Sequence, residues 1–504
     1  MNNPRAGLWL CLSVSILPFI ASLGCGSGST IPNPTAAIAN TSHPLVAQYS
    51  IVTSYPQSTA WVEFGPDNTY GRLTSATPAT SAWGQTVNIL VAGMTANSTY
   101  HMRAHVQWDG GSWVDADRTF TTGSLPGAKG GLLAPGITVT RPNPSLTPSP
   151  GVELFNLVGP NNMLRAFATD LQGNIIWYYN PGPTAGSPTP LKPMQNGHYI
   201  INVGDLREID LVGNIIRDIT GTQLNPTLQA QYSFTVTDFH HDVAVLPNGH
   251  WIILANTTKE FTDLPGYPGV TNVLGDALID IDLNGNVAWA WSGFDHGLDI
   301  NRHLQGLPDW THSNAIVYTP DGNLLLSMRH QSWILKIDYE NGTGSGDILW
   351  RLGEDGDFAL AGGDPSDWFY AQHYPNLIST NGSQMILDVW DNGNYRIAPD
   401  GTACTATCYS RATIFQVDED AKTANLLWQD LPGFYSWWGG SIETLPNGNI
   451  EFDMTTPFVQ PASQIMEVTH TDNPQTVWQL NLTGENAYRG FRIPSLYPGV
   501  SWQK

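Results

Sequence analysis

"LPNGHWIILA" (residues 246–255) sets an Asn-Gly turn before an apolar strand, and four other stretches follow the same plan. They are "MQNGHYIINV" (194–203), "TPDGNLLLSM" (319–328), "TNGSQMILDV" (380–389) and "LPNGNIEFDM" (445–454). A second element, a strand ending in an aromatic or long residue, recurs six times: "DLQGNIIWYY" (170–179), "DLVGNIIRDI" (210–219), "DLNGNVAWAW" (282–291), "GSGDILWRLG" (344–353), "KTANLLWQDL" (422–431) and "NPQTVWQLNL" (473–482). Six copies imply six units of about four strands, and six such units close a ring that hides its sheet edges. The expected fold is all-β, a six-bladed β-propeller over residues 151–504. The first unit has its second element, around Trp177, but no clear first turn. The C-terminal "RGFRIPSLYPG" (489–499) is therefore expected to supply its missing strand and close the ring.

Composition agrees with this reading. Gly 50, Pro 36 and Trp 19 with 13% charged residues describe a turn-rich, aromatic-rich chain of short strands. Lys+Arg 21 against Asp+Glu 43, a net charge of -22, leaves no basic stripe for phosphates, so nucleic acid is excluded as a partner.

Ahead of the repeats, "STAWVEFGPDNTYG" (58–71), "QTVNILVAGMTANSTYHMRAHVQ" (85–107) and "GSWVDADRTFTTG" (111–123) alternate apolar and polar residues between turns. Residues 36–122 are expected to form a small β-sandwich, and "LVAGMTANSTYHMRAHV" resembles a fibronectin type III-like module. Residues 123–150 are expected to be a linker. Residues 1–25 read as an export signal: Arg5, an apolar run over 8–20 and "ASLGC" ending at Cys25. Gly24-Cys25 resembles a bacterial lipoprotein cleavage site, which implies a lipid on Cys25, and residues 26–35 have the composition of a flexible tether. The protein is thus expected outside the cytoplasm, periplasmic or held at a membrane by its N-terminal lipid. Cys404 and Cys408, in the small-residue loop "GTACTATCYSR" (401–411), are expected to form a local disulfide rather than a metal pair, since no further Cys or His follows closely.

Aligned on their first turns, three consecutive units carry a histidine at the start of the preceding strand. His241 precedes Asn248, His312 precedes Asp321 and His373 precedes Asn381 by seven to nine residues. First strands of propeller blades line the central channel, so the three should converge at one mouth. Strand alternation adds Asn314 beside His312 and lets only one of His240 and His241 face inward, the alignment favouring His241. Arg329 returns to the mouth at the end of the strand after His312, and Asp391 and Asn392 come near His373. Trp437 and Trp438 are expected to form an aromatic wall, whereas His303 and His330 read as surface or packing residues. The three imidazoles could hold zinc, but Arg329 repels a metal ion and fits an anion.

In order along the chain, "HHDVAVLPNG", "DWTHSNAIVYTPDGNLLLSMRHQSWILKID", "ILWRLGEDGDF", "AQHYPNLIS", "WDNGN", "YSRATIFQVDE" and "WWGGSIETLPNGN" resemble the bacterial aryl-sulfate sulfotransferase family, over roughly residues 151–498. The resemblance implies a periplasmic six-bladed propeller that moves a sulfuryl group from a phenolic sulfate donor to a phenol acceptor through a sulfated histidine, without a nucleotide sulfate donor. It implies His373 as nucleophile, with His241, His312, Asn314 and Arg329 binding the substrate and stabilising the transition state. A short disulfide loop in the family corresponds to Cys404 and Cys408.

The residues are suited to that chemistry. Sulfuryl transfer needs an in-line nucleophile with cationic or N–H groups on the equatorial oxygens. No G-x-x-x-x-G-K-[ST] cradles a nucleotide phosphate, and no cofactor is expected. Two other classes remain open from the sequence: a lipid-anchored propeller that binds without catalysis, and a metal-dependent hydrolase.

Overall fold

The computed structural model describes residues 31–79, 84–127, 136–158, 166–181, 189–406, 408–455, 462–484 and 486–503. The export segment and Cys25 lie outside the described residues.

Turn chemistry explains where the strands begin. In the first recurring element the side-chain oxygens of Asn196, Asn248, Asp321 and Asn447 accept the N–H two residues on. The glycine between takes φ of 84–85°, which an L side chain rarely adopts. In the second, Asp170, Asp210 and Asp282 each accept the N–H groups two and four residues on, closing the "D-L-x-G-N" loop.

Among the described residues these turns connect strands into six sheets, first to sixth along the chain, with antiparallel core strands over 152–179, 191–219, 236–292, 313–353, 373–430 and 441–483. The strand Asn486–Ile493 pairs with Val152–Val158 and so completes the first sheet from the C-terminus, as the missing turn had suggested. Within the segment expected to be a linker, Gly136–Thr140 pairs with Thr476–Thr483 as an added edge of the sixth sheet. Among the described residues one α-helix occurs, Gly221–Tyr232, started by a Thr220/Gln223 capping box.

One repeat position ties each sheet to the next. Trp177 Nε1 donates to Leu211 O (2.9 Å), Arg217 Nη1 to Leu283 O (3.1 Å) and Trp289 Nε1 to Gly344 O (3.3 Å). Trp350 Nε1 donates to Glu419 Oε1 (2.7 Å), Trp428 Nε1 to Thr471 O (2.9 Å) and Trp478 Nε1 to Leu171 O (2.9 Å). The last bond returns from the sixth sheet to the first, so the six contacts form a closed cycle. This is why the long residue at the end of the second element recurs.

Upstream, the strands Ala47–Thr53 and Gln85–Val91 of one sheet face Thr59–Gly65 and Thr99–Trp108 of another, burying Tyr49, Val62, Phe64, Ile89 and Met102 between them. The same apolar cluster continues into Trp177 and Tyr199 of the first and second sheets. The C-terminal tail seals this junction. Tyr497 Oη accepts from Ala92 N (2.6 Å) and donates to Leu90 O (2.8 Å), and Trp502 Nε1 donates to Leu73 O (2.9 Å).

At the closure of the first and sixth sheets, Arg492 bonds three buried carboxylates: Glu153 (3.0 Å), Glu451 (2.6 Å) and Glu467 (3.1 Å). Nearby, burial reinforced by Glu451 pushes the Glu443 carboxyl up to about 8, and burial does the same at Asp388. Both carboxyls hold a proton in the folded chain at neutral pH and lose it on unfolding, so stability declines as pH rises from the ordinary carboxyl range to about 8. The buried histidines act in the opposite sense, but only below their ordinary value of about 6.5. The melting temperature is therefore expected to fall between pH 6.5 and 8.5, and Glu443→Gln should flatten that slope. A melting temperature that rises over this interval, measured by calorimetry, would contradict the assignment.

Candidate active site

The inner strands of the third, fourth and fifth sheets all lose their register at one end. Pairing shifts between Phe239 and Val243, between Ser313 and Ala315, and between His373 and Asn376. At these irregularities His241, His312 and Tyr374 have φ of 55°, 47° and 46°, conformations that cost about 1–3 kcal/mol each and are often kept at functional sites. The bulges turn the side chains out of strict alternation and gather the imidazoles.

The rings of His241 and His312 meet edge to face at 4.8 Å, and Tyr488 lies 5.5 Å from His241 and 5.8 Å from His373. The three histidines named from the sequence thus share one site. The bulge also corrects the alternation rule: His240 and His241 are both present, Nδ1 to Nδ1 at 2.7 Å, with His240 Nε2 3.3 Å from Asp276.

His373 is 1% exposed and its Nδ1 lies 2.7 Å from Asn392 Oδ1. Asn392 Nδ2 donates to Ser436 O (2.7 Å) and Gly439 O (3.0 Å), which fixes the orientation of the amide. Oδ1 must then accept, so His373 carries its proton on Nδ1 and keeps the Nε2 lone pair free. Burial first, then the Arg329 charge, holds the His373 imidazole well below its ordinary value, and burial with its histidine neighbours does the same to His241. Both rings are neutral at pH 7.

Arg329, 8% exposed, joins this cluster to an open cavity of about 550 Å³. Its Nη1 lies 2.7 Å from His330 Nε2 and its Nη2 donates to Trp437 O (2.8 Å), while Nε has no partner among the described residues. Tyr370, Tyr395, Trp437, Ile397 and Glu354 also line the cavity. Trp437, 41% exposed, forms part of the expected wall, and Trp438 stacks on Tyr488 at 6.3 Å.

Other expected residues have different work. Asn314 Nδ2 donates to Gln372 O (2.7 Å), tying the fourth sheet to the residue before His373, with its Oδ1 unpartnered among the described residues. Asp391 does not reach the histidines. Its buried carboxylate accepts from Arg396 (2.8 Å), Arg411 (2.8 Å) and Tyr370 N (2.9 Å), so it braces the chain beside Asn392 instead of binding substrate. His303 and His330 both line the cavity, so neither is remote from it. The Cys404–Cys408 disulfide is present, and Ala403 beside it faces the cavity.

Tyr488 and Arg489 escaped sequence reasoning because they sit on the C-terminal strand, far along the chain. Tyr488 is buried beside the Arg489 guanidinium, 5.2 Å from its ring centre, and burial pushes the phenol up to about 12. Arg489 donates to the carbonyls of His241 (3.2 Å) and Asn314. As for a metal, the expected trio His241, His312 and His373 does not converge closely enough. Among the described residues the one compact group is Asp309, His312 and His330, with ligand atoms within 4.8 Å of one another.

Residues 147–491 match the model of the arylsulfotransferase (ASST) family. The chain belongs to that family. Its match spans every sheet that contributes to the histidine cluster, and membership carries aryl sulfotransferase activity. Among curated proteins, none matches. Of solved structures, streptogramin B lyase aligns at 12% identity over 69% of this chain and 98% of its own, with a TM-score of 0.30. Sqt1 from Chaetomium thermophilum aligns at 11% identity over 88% and 94%, with a TM-score of 0.31.

Two outcomes are expected. Asn392→Ala should lower phenol release from an aryl sulfate by at least about a hundredfold, because a triad histidine that loses its orienting partner loses comparable or greater rate. A near-wild-type rate would show that Asn392 does not set the tautomer. Phenol release in a single turnover should also keep its rate down to below pH 6, since a lowered pKa leaves the His373 lone pair free there; a half-maximum at pH 6.5 or above contradicts this.

Proposed function

We propose that the protein transfers a sulfuryl group between phenols in two steps through a sulfated His373. The observation that carries this reading is a buried, neutral imidazole with Nδ1 held by Asn392, beside an arginine that also lines an aromatic cavity. In the first step Nε2 of His373 attacks the sulfur of a phenolic sulfate ester. The N–S bond forms as the S–O bond to the phenol breaks, and the departing phenolate takes a proton from a neighbouring imidazolium, which is left as a neutral histidine. In the second step an acceptor phenol gives its proton to that histidine while its oxygen displaces Nε2 at sulfur. His312 is the candidate for this proton, because Asp309 beside its Nδ1 offsets the charge that the ring carries while it holds the proton.

Arg329 and His241 stabilise the three sulfuryl oxygens, and the aromatic cavity wall holds the phenyl ring while limiting water. We also read the six cyclically tied sheets as the blades of a six-bladed propeller, and residues 36–122 as a fibronectin type III-like module packed on it. The N-terminal sequence supports export with a lipid on Cys25, so the enzyme would work in the periplasm or at a membrane surface.

Mixing the protein with an aryl sulfate alone should give one acid-labile sulfuryl adduct, located by peptide mass analysis on His373. His373→Ala should form none at any donor concentration. Arg329→Ala should still form it, about a hundred to a thousandfold more slowly, by analogy with removal of an oxyanion-hole donor. A chelator should leave all rates unchanged; loss of activity on chelation would favour metal-dependent hydrolysis. An adduct on His241 or His312 would overturn the choice of nucleophile.

A further inference from the structure

We infer that Asp309 and His330 are positioning residues for the site, Asp309 setting the proton on two histidines at once and His330 passing that order to Arg329. The inference rests on the sulfuryl-transfer reading above.

The geometry is built for this. Asp309 Oδ2 bonds His312 Nδ1, and the backbone oxygen of the same residue lies 2.7 Å from His330 Nδ1. A carbonyl oxygen only accepts, so His330 carries its proton on Nδ1 and presents the Nε2 lone pair, which Arg329 Nη1 meets at 2.7 Å. A protonated His330 could not accept that bond and would repel the guanidinium. Burial, then the charges of His312 and Arg329, lowers His330 to about 4, in keeping with the accepting role. The two rings also stack at 4.6 Å, so neither can tilt without the other.

Asp309 is itself held from three sides. Leu274 N donates to Pro308 O (2.7 Å) and Trp310 N to Leu274 O (2.9 Å), clamping the residue between two bonds to the third sheet. The indole of Trp310 is 2% exposed and packs on Leu264 and Val273, with its Nε1 donating to Arg302 O (3.0 Å). Gln331 Nε2 donates to Trp310 O (2.7 Å), and His330 N to Thr311 O (3.1 Å), which stitches the Asp309 loop to the Arg329 segment. A loop anchored this way fixes where the carboxylate and the carbonyl point.

The same three side chains form the compact group that could hold a cation. Occupation by a metal would require His330 Nε2 to release Arg329 or Nδ1 to release the carbonyl, and would set a second positive charge against the guanidinium. The bonds present favour proton order over metal binding.

The two branches predict different failures. Asp309→Asn leaves the backbone carbonyl but removes the carboxylate that supports His312 when it moves a proton. Its turnover number should fall at least about a hundredfold with phenyl sulfate, whose phenolate needs a proton to leave, and less than about tenfold with 4-nitrophenyl sulfate, whose phenolate does not. His330→Ala should slow both donors equally, because it loosens the group that contacts the sulfuryl oxygens. His330→Gln, which can still accept from Arg329, should recover part of that loss. Asp309→Asn should cost nothing further in a His312→Ala background.

Equal losses with the two donors in Asp309→Asn, or additive losses in the double variant, would overturn the inference. A readout free of turnover accompanies these. Proton NMR of the resting protein should show a downfield imidazole N–H resonance that disappears in both Asp309→Asn and His312→Ala; its absence from the wild type also overturns the inference. Bound zinc at one equivalent in the purified protein, lost in Asp309→Asn, would make the group a metal site. A wild type inert to every aryl sulfate defeats the sulfuryl-transfer reading by itself, and the NMR result still decides the position of the proton.

Discussion

The pairing of Asn486–Ile493 with Val152–Val158 is the contact on which the remainder of the molecule depends. It brings the end of the chain back to the first repeat sheet, and Arg492 fastens it with three buried carboxylates. Leaving one of those carboxylates unpaired inside the fold would cost several kcal/mol, so the register of the strand is strongly determined. The same strand then carries Tyr488 and Arg489 to the histidines. Arg489 spans from the carbonyl of His241 in the third sheet to that of Asn314 in the fourth, so closure of the chain and alignment of the site are one event.

Much of this was legible because the repeats are chemical as well as apolar. An Asn-Gly or Asp-Gly turn caps its own backbone, and the tryptophan at the end of the second element recurs because its N–H must reach the neighbouring sheet. Phase along the repeat therefore located the histidines. Alternation failed where the strands bulge: His240 and His241 both join the site, and Asp391, adjacent to Asn392, turns instead to two arginines. Tyr488 was hidden for another reason. The segment immediately after it, 489–499, was legible as a closing strand, but nothing local says that Tyr488 will stand between His241 and His373. Asp309 lies only three residues before His312, yet its carbonyl acts on His330, and a backbone atom leaves no mark in the sequence.

Charge explains how an acidic chain can serve an anionic substrate. The net charge of -22 is spread over the whole chain, whereas the cavity wall sets Arg329 among aromatic rings, and its one carboxyl, Glu354, is pushed upward by burial. Fields from exposed carboxylates are screened within about 8–10 Å at physiological salt, while a buried guanidinium beside a cavity is screened much less. Neutral histidines matter as much as the cation. A positive His373 would bind an anion but have no lone pair to offer, and its burial next to Arg329 keeps it from charging.

Three rings of the same residue type are thereby given different chemical characters by what accepts their Nδ1 proton. His373 gives it to an amide oxygen, which is neutral and leaves a lone pair on Nε2 with little tendency to take up a proton in that dry, positively charged corner. His312 faces a carboxylate, which can balance a charge that appears on the ring during proton transfer. His330 faces a backbone carbonyl and turns its lone pair to Arg329. Exchanging any two of these acceptors would leave the same imidazoles at the same distances with their roles scrambled. On the proposed mechanism, the functional information in this site therefore resides as much in Asn392, Asp309 and one carbonyl as in the histidines, and it is carried by geometry that the bulged strands and the anchored Asp309 loop hold in place.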